Sequence, residues 1–237
     1  MKDLKFEKKQ KGSIHPITRV LDEITMTFAE LGFEIVTCNE SDDEYHNFDA
    51  LNVPKDHPAR DMQDTFWLKD FPKNLLRTQT SNSQIHYMKE NKPPFMITAP
   101  GKVYRYEATD KTHEVQFYQV EGLVVGENIT LANLKSTLDA FIKKMFGEDV
   151  QTRFRPGFFP FVEPGVEIDM KKGNGDWIEV LGAGMVNRAV LNNVGINPNK
   201  FQGFAFGIGA DRIAMLKYGI DDIRHFYNGD LRFINQF

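Results

Sequence analysis

The chain has 237 residues, with 29 Lys+Arg against 33 Asp+Glu for a net charge of −4, and is 41% hydrophobic and 26% charged. This is enough chain to bury a sizeable core, and the balance excludes collagen, intrinsic disorder and coiled-coil fibre. No apolar run approaches the ~20 residues of a membrane helix, and the single cysteine, Cys38, excludes an internal disulfide and a cysteine-based zinc site. The expectation is a cytoplasmic globular protein without a membrane partner, in which any contact with nucleic acid is local or supplied by a partner.

The first twelve residues carry Lys2, Lys5, Lys8, Lys9 and Lys11 against Asp3 and Glu7. Residues 1–12 therefore read as a basic linker or tail, and 13–237 as the folded domain. A helix is predicted next, capped near Ser13 or His15 and with Pro16 in its first turn. Ile17, Val20, Leu21, Ile24, Phe28 and Leu31 recur at helical spacing until Gly32 stops them. Residues 40–64 look irregular and polar, with acidic Glu40, Asp42, Asp43 and Glu44. A second helix is predicted over Ser81–Glu90, ended by Pro93 and Pro94.

Strands are predicted at Phe95–Ala99 and Val103–Glu107, separated by a Pro100-Gly101 turn, and at Val115–Val125. Thr130–Phe146 repeats apolar residues at helical spacing. Further strands are expected at Val150–Arg155, Val166–Met170 and Trp177–Leu181, the last two joined by a turn at Gly173-Asn174-Gly175-Asp176. Phe201–Phe206 reads as a strand, and a glycine turn at Gly207–Gly209 leads into a helix ending near Tyr218. Strand runs mixed with separate helices point to an α+β domain with a mostly antiparallel sheet flanked by helices.

Three stretches can carry chemistry. In the first, strand alternation puts Arg105 and Glu107 on one face, and Phe117, Gln119 and Glu121 on one face of the following strand. Such a face is either the wet side of a sheet or a site for a zwitterion and a phosphate. In the second case Glu121 takes an ammonium group, Arg105 a phosphate through its planar fork, and Phe117 stacks on a base. The second stretch, Gly207–Arg212, passes from strand to helix, where free amides can meet an anion. It is not G-x-G-x-x-G and has no Walker lysine, and it can equally be a tight turn with Arg212 in a surface ion pair. In the third, Pro156 and Pro160 stiffen a segment holding Phe158, Phe159 and Phe161, which either plug a core or wall an aromatic pocket. None of the six histidines is spaced as a helical metal pair, so no zinc site is expected. Among them His113 lies in the loop between the arginine strand and the Gln/Glu strand. Glu167, Asp169 and Glu179 either hold a hard cation with substrate phosphates or face solvent.

The order of GSIHPITRV, YHNFDALNVPKDHPARDMQDTFWL, LLRTQTS, PGKVYRYEATDKTHEVQFYQVEGL, FRPGFFPFVEPG, WIEVLGAGMV and GFAFGIGADRIAMLKYGIDDIRHFYNGDLRF resembles the catalytic module of the bacterial phenylalanyl-tRNA synthetase α subunit, in class II of the aminoacyl-tRNA synthetases. The likeness runs from about Gly12 to Phe237. It implies a class II catalytic domain that activates L-phenylalanine with ATP and Mg²⁺ and transfers it to tRNA(Phe). By that resemblance the helix with Val20 and Ile24 is the motif 1 interface helix. Arg105 would hold the α-phosphate and substrate carboxylate, Glu107 and Phe117 the adenine moiety, His113 the triphosphate, and Arg212 the γ-phosphate. Ser81, Gln119 and Glu121 would bind the amino end of phenylalanine. Phe159 and Phe161 would meet its ring, Ala205 would line the pocket, and Glu179 would contact Mg²⁺.

The resemblance also implies a β-subunit partner and a homodimer or α₂β₂ tetramer. It further implies that the N-terminal tRNA-binding helical hairpin of that family's α subunit is missing. Three positions depart from the family pattern: Tyr118 replaces a histidine, Asp211 a glutamate, and Asn187-Arg188 the usual His-Pro. Tyr118 is expected to face away from Arg105, Gln119 and Glu121. Two other readings on the same fold are a paralogue that binds ATP or an amino acid without charging tRNA, and a carboxylate–ammonia ligase. Retention of Arg105, Glu121 and Arg212 counts against the first, and the apolar Phe159/Phe161 pair against the second.

Overall fold

A computed structural model describes residues 12–60 and 64–237. The basic segment read at the N-terminus lies, up to residue 11, outside the described residues. The first helix, α1 (Pro16–Glu30), begins as the sequence requires: His15 Nδ1 accepts from the Ile17 N–H at 3.2 Å, Pro16 occupies the first turn, and Gly32 follows at φ +93°. Then come β1 (Glu34–Ile35), β2 (Ser41–Asp43), β3 (Asn74–Leu76), α2 (Ser81–Glu90), β4 (Phe95–Tyr104) and β5 (Gln116–Gly126). The second half holds α3 (Leu131–Phe146), β6 (Val150–Phe159), β7 (Val162–Lys172), β8 (Ile178–Val186), α4 (Arg188–Asn193), β9 (Gln202–Gly209), α5 (Ala210–Tyr218) and α6 (Leu231–Ile234). Among the described residues no helix is long and apolar enough to cross a membrane.

Seven strands form one sheet in the order β1-β4-β5-β9-β8-β7-β6, parallel only where β1 meets β4. Successive side chains point to opposite faces, so the sheet divides two cores. On one face Val120, Ile168, Phe204, Phe206 and Ile208 meet Ile17, Val20, Ile24 and Phe28 of α1, Leu134, Leu138 and Phe141 of α3, and Ile213 of α5. On the other, Leu123, Ile97 and Ala205 meet Ile85 of α2, Leu75 of β3, and Phe48 and Leu51. The residues for chemistry emerge on this second face.

Five expectations change. Pro100-Gly101 is no turn, because β4 runs straight through it, with Pro100 opposite Val120 and Gly101 opposite Gln119. Beyond Thr98 this strand has no β1 partner, so a proline without an N–H is tolerated there. Gly101 is needed for a close approach: a Cβ would lie 2.0 Å from Nη2 of the buried Arg77. The strand then ends at Tyr104 rather than Glu107, although the Arg105 N–H still reaches the Val115 carbonyl at 2.9 Å. Gly207–Gly209 is likewise strand, the end of β9. The strands expected over 150–155, 166–170 and 177–181 extend into three longer ones joined by hairpins. Residues 41–49 are not irregular: β2 pairs with β3, and a π-helical turn at Tyr45–Asp49 buries Phe48, whereas 50–60 hold turns and one short 3₁₀ turn at Pro58–Arg60. Alternation in that stretch is broken by Asp42 and Asp43, which hid the ribbon.

The departures from the family pattern have local accounts. Tyr118 packs against the first core, as expected, and its N–H donates to Asp211 Oδ2 at 2.8 Å. Asp211 is buried, accepts from the Tyr227 hydroxyl through Oδ1, and has its pKa pushed up to about 6 by burial. The shorter carboxylate therefore ties α5 to β5 and to the segment after it. Asn187 caps α4 by accepting from the Ala189 N–H at 2.9 Å, and Arg188 donates to the Pro198 carbonyl at 3.0 Å.

Candidate active site

A cavity of about 420 Å³ opens on the second face of the sheet, between β5, β8, β9, α2 and the β6–β7 hairpin. Its floor follows from register. Gln119 lies opposite Gly209, Glu121 opposite Gly207, and Leu123 opposite Ala205; Gly207 and Ala205 in turn face Gly182 and Gly184. Strand β5 thus presents Phe117, Gln119, Glu121 and Leu123 in a row, each step of two residues advancing about 7 Å. The row runs from aromatic and cationic, through polar and acidic, to apolar.

At the first end the Arg105 guanidinium stands 5.0 Å from the centroid of the Phe117 ring, and Arg105 Nε donates to the Thr78 carbonyl at 3.3 Å. Burial lowers the Arg105 pKa, with Glu107 and Glu121 opposing that shift. The guanidinium retains its charge, and no carboxylate among the described residues forms an ion pair with it, so it is free to take an anion.

The middle is built around Glu121, which is 5% exposed. Ser81 Oγ and Gln84 Nε2 both donate to Oε2, at 2.5 and 2.8 Å. Oε1 stands over Gly207, 3.8 Å from where a Cβ would be. Burial pushes the Glu121 pKa up to about 7, against the pull of Ser81, the Thr80 amide, Arg105 and Arg77. Beside it Gln119 Oε1 is buried with no hydrogen-bond partner among the described residues. An acceptor-only carboxylate oxygen and an unpaired amide oxygen facing one space are a receptor for a group that only donates, such as an ammonium.

The far end is apolar. Phe159 and Phe161 have ring centroids 5.9 Å apart at 22°, and with Phe48, Leu51, Val186 and Ala205 they wall the cavity. Phe159 lies on Gly182, where a Cβ would come within 2.8 Å of its Cζ, so only glycine lets the ring reach this place. Phe158 is 81% exposed at the edge of the same cavity.

Of the residues singled out by sequence, Ser81, Arg105, Gln119, Glu121, Phe159, Phe161, Glu179 and Ala205 line this one cavity. Phe117 joins through Arg105. The other three stand outside its lining. Glu107 is half-buried just beyond Arg105, its N–H donating to the Arg105 carbonyl at 3.1 Å. His113 is exposed in the β4–β5 loop, its Nδ1 3.0 Å from both carboxylate oxygens of Asp110. Arg212 is exposed in the first turn of α5, without an ion-pair partner among the described residues, and its Cβ adjoins Gly209, the register partner of Gln119. Glu107 and Arg212 thus adjoin the Arg105 end of the row, and His113 lies on the loop between Arg105 and Phe117.

Glu179 is 58% exposed and contacts Arg155 Nη2 at 3.3 Å. Arg155 is itself clasped by Asp169 at 2.7 Å and Glu167 at 2.9 Å, so Asp169 is committed while Glu179 can turn away. Sequence reasoning missed Gln84 and Arg77. Gln84 lies three residues beyond Ser81 on a helix, and that spacing alone places both on one face. Arg77 is 3% exposed and donates to the carbonyls of Lys102 at 2.8 Å and Cys38 at 3.0 Å. It looked like an ordinary charged residue before a polar run.

One face of this sheet thus sets a guanidinium beside a phenylalanine ring, a buried carboxylate and an aromatic wall in one row. Comparison gives the class. Residues 2–237 match the family described as tRNA synthetases class II core domain (F), and the chain belongs to that family. It is 53% identical, over 96% of its own length and 69% of theirs, to the phenylalanine–tRNA ligase α subunits of Pectobacterium atrosepticum, Cronobacter sakazakii and Escherichia coli O139:H28. Its fold is shared with pyrrolysyl-tRNA synthetase from Desulfitobacterium hafniense, at TM-score 0.70 and 15% identity, covering 90% of this chain and 73% of that one.

Proposed function

We propose that this chain activates L-phenylalanine with ATP and, with tRNA(Phe) and a β-subunit partner, transfers it to the tRNA. The observation that carries this reading is the pairing of Glu121 Oε1 and the unpartnered Gln119 Oε1 at the junction between Arg105 and an aromatic-walled pocket. An α-amino acid with an apolar ring matches each part in turn: ammonium on Gln119 and Glu121, carboxylate toward Arg105, ring between Phe159, Phe161 and Ala205. ATP then lies along the Arg105 end, with adenine on Phe117 and Glu107, and the triphosphate toward His113 and Arg212.

The substrate carboxylate attacks the α-phosphorus and pyrophosphate leaves. A ribose hydroxyl of the tRNA then displaces AMP from the mixed anhydride. Neither step needs a protein nucleophile. Rate comes from alignment and from Arg105 facing the charge that develops on the phosphoryl oxygens. The family's Mg²⁺ fits this chain through Glu179, an oxygen donor at the cavity edge whose only ion-pair contact among the described residues is the 3.3 Å one to Arg155. When bound, the ion would neutralise charge on the substrate phosphates. The exposed Ile14, Met26, Leu31 and Ile35, on or beside α1, are consistent with self-association through this helix.

Two expected results bear on substrate placement. Ala205→Val adds volume at the ring end without touching the polar groups. It should weaken phenylalanine about tenfold or more and leave the ATP KM unchanged, since a methylene or two in a fitted pocket changes binding by that order. Phenylalanine binding should also release a proton. Free Glu121 is largely protonated below about pH 7, and a bound ammonium lowers its pKa, so affinity rises with pH and levels off above about 7. Calorimetry at about pH 6 in two buffers of different ionisation enthalpy reads the proton directly. The reading as a whole is tested by aminoacylation of tRNA(Phe) by this chain with its β partner. Charging with phenylalanine supports it, and binding of ATP and phenylalanine without charging would return the chain to the non-aminoacylating alternative.

A further inference from the structure

Away from the cavity, the segment leading into β2 is packed against the outer side of α2, and it gathers metal-ligating groups that no step above uses. Cys38, Asp42 and His86 have one donor atom each, sulfur, oxygen and nitrogen, all within 4.8 Å of one another. His86 Nε2 lies 2.7 Å from Asp42 Oδ2. The His46 ring stacks on His86, with centroids 4.0 Å apart at 11°, while His46 Nδ1 contacts Asp43 Oδ1 at 2.7 Å. Lys89 Nζ donates to His46 Nε2 at 3.2 Å, so His46 carries its proton on Nδ1 and is spent on Asp43. His86 remains available to Asp42 and Cys38.

Several acceptors meet in this cluster, served by the Asn39 amide, the Ser83 hydroxyl, the Asp43 amide and Asn82. Asn82 is fully buried in it, and its single Nδ2 faces three acceptors: Asp42 Oδ2 at 2.9 Å, the Asn39 carbonyl at 3.3 Å and Cys38 Sγ at 3.5 Å. Its Oδ1 has no partner among the described residues. Arg77, the neighbouring guanidinium, is committed to the carbonyls of Cys38 and Lys102. A sulfur, a carboxylate oxygen and an imidazole nitrogen thus converge beside a buried amide whose own oxygen is unpaired.

Against the expectation drawn from the single cysteine and the histidine spacing, we propose that Cys38, Asp42 and His86 bind a zinc-class transition-metal ion. The mixed S/N/O donor set suits Zn²⁺ and excludes Mg²⁺ and Ca²⁺, which take oxygen ligands only. Tetrahedral bonds of the usual length require the His86 Nε2–Asp42 Oδ2 separation to open from 2.7 Å to about 3.3 Å. His86 has a side chain 37% exposed, which allows that adjustment and leaves the fourth position to water. The thiol gives its proton to solvent as the sulfur–metal bond forms, and His86 moves its own proton to Nδ1. No electron is transferred. Because the thiol must give up its proton to bind, binding strengthens as pH rises. The ion would clip the segment at 38–42 onto α2, the helix whose Ser81 and Gln84 hold Glu121.

Titration of the tag-free, metal-stripped chain with Co²⁺ tests this. A sulfur-to-cobalt charge-transfer band in the near ultraviolet should saturate at one ion per chain, vanish on adding Zn²⁺, and be absent from Cys38→Ser. His86→Ala should weaken it at least tenfold. In the unsubstituted protein, Zn²⁺ should slow alkylation of Cys38, a readout that needs no variant to fold. Absence of the band, a band that survives Cys38→Ser, or alkylation unaffected by Zn²⁺ would overturn the assignment.

Discussion

Glu121→Gln should lower kcat/KM for phenylalanine by roughly 100-fold or more while leaving the KM for ATP nearly unchanged. Glutamine keeps an oxygen for Ser81 and Gln84 to donate to, so the site keeps its shape and loses only its charge. Removing one member of a buried, hydrogen-bonded charge pair costs about 2–5 kcal/mol, and here the other member is the substrate ammonium. The same variant should be more stable than the parent above neutral pH. The folded-state pKa of Glu121, about 7, exceeds its unfolded value of 4.5. Between those values the native state binds more protons, so stability falls as pH rises through that window. The charged, ligand-free carboxylate then costs on the order of 3 kcal/mol at pH 8. Denaturant melts at about pH 5 and pH 8 should show the variant gaining only at the higher pH. A variant equally destabilised at both would mean that Glu121 is structural and not a receptor held at an energetic cost.

The second large effect is expected at Arg105. Arg105→Lys keeps a positive charge but loses the planar fork and the stacking on Phe117 at 5.0 Å. Loss of a pre-aimed donor at the point where charge develops lowers kcat about 10²–10³-fold. The effect should fall on kcat of phenylalanine-dependent ATP–pyrophosphate exchange, with a smaller change in the KM for phenylalanine. A loss confined to that KM would place Arg105 on the substrate carboxylate alone and away from the phosphoryl group.

Much of the site was legible because strand alternation is strict. Phe117, Gln119 and Glu121 had to share a face, and a polar pair beside an aromatic on one face of a long apolar strand is unusual. The resemblance added Ser81 and Ala205 and chose the pocket reading for Phe159 and Phe161, and all four line the cavity. The hidden parts depended on long-range packing. Gly101 reads as a turn in any local window, and only the Arg77 guanidinium lying against it explains why the strand continues. The ribbon of β2 and β3 joins Ser41–Asp43 to Asn74–Leu76 across thirty intervening residues, and neither strand has an apolar alternation to announce it. Arg77 itself is buried by contacts with two carbonyls rather than by a carboxylate, and sequence gives no mark of that. The clustering of Cys38, Asp42 and His86 is of the same kind: Cys38 and Asp42 are four apart but on a non-helical segment, and His86 is brought to them only by the fold.

The central claim is that one cavity on this sheet face binds and activates phenylalanine. ATP–pyrophosphate exchange tests it most directly, run with phenylalanine, tyrosine, histidine and no amino acid, in the presence and absence of the β partner. The account predicts exchange that depends on phenylalanine, is far weaker with tyrosine, and is lost in Arg105→Lys and Glu121→Gln. Exchange driven by another amino acid, or none with phenylalanine even when the β partner is present, would contradict it.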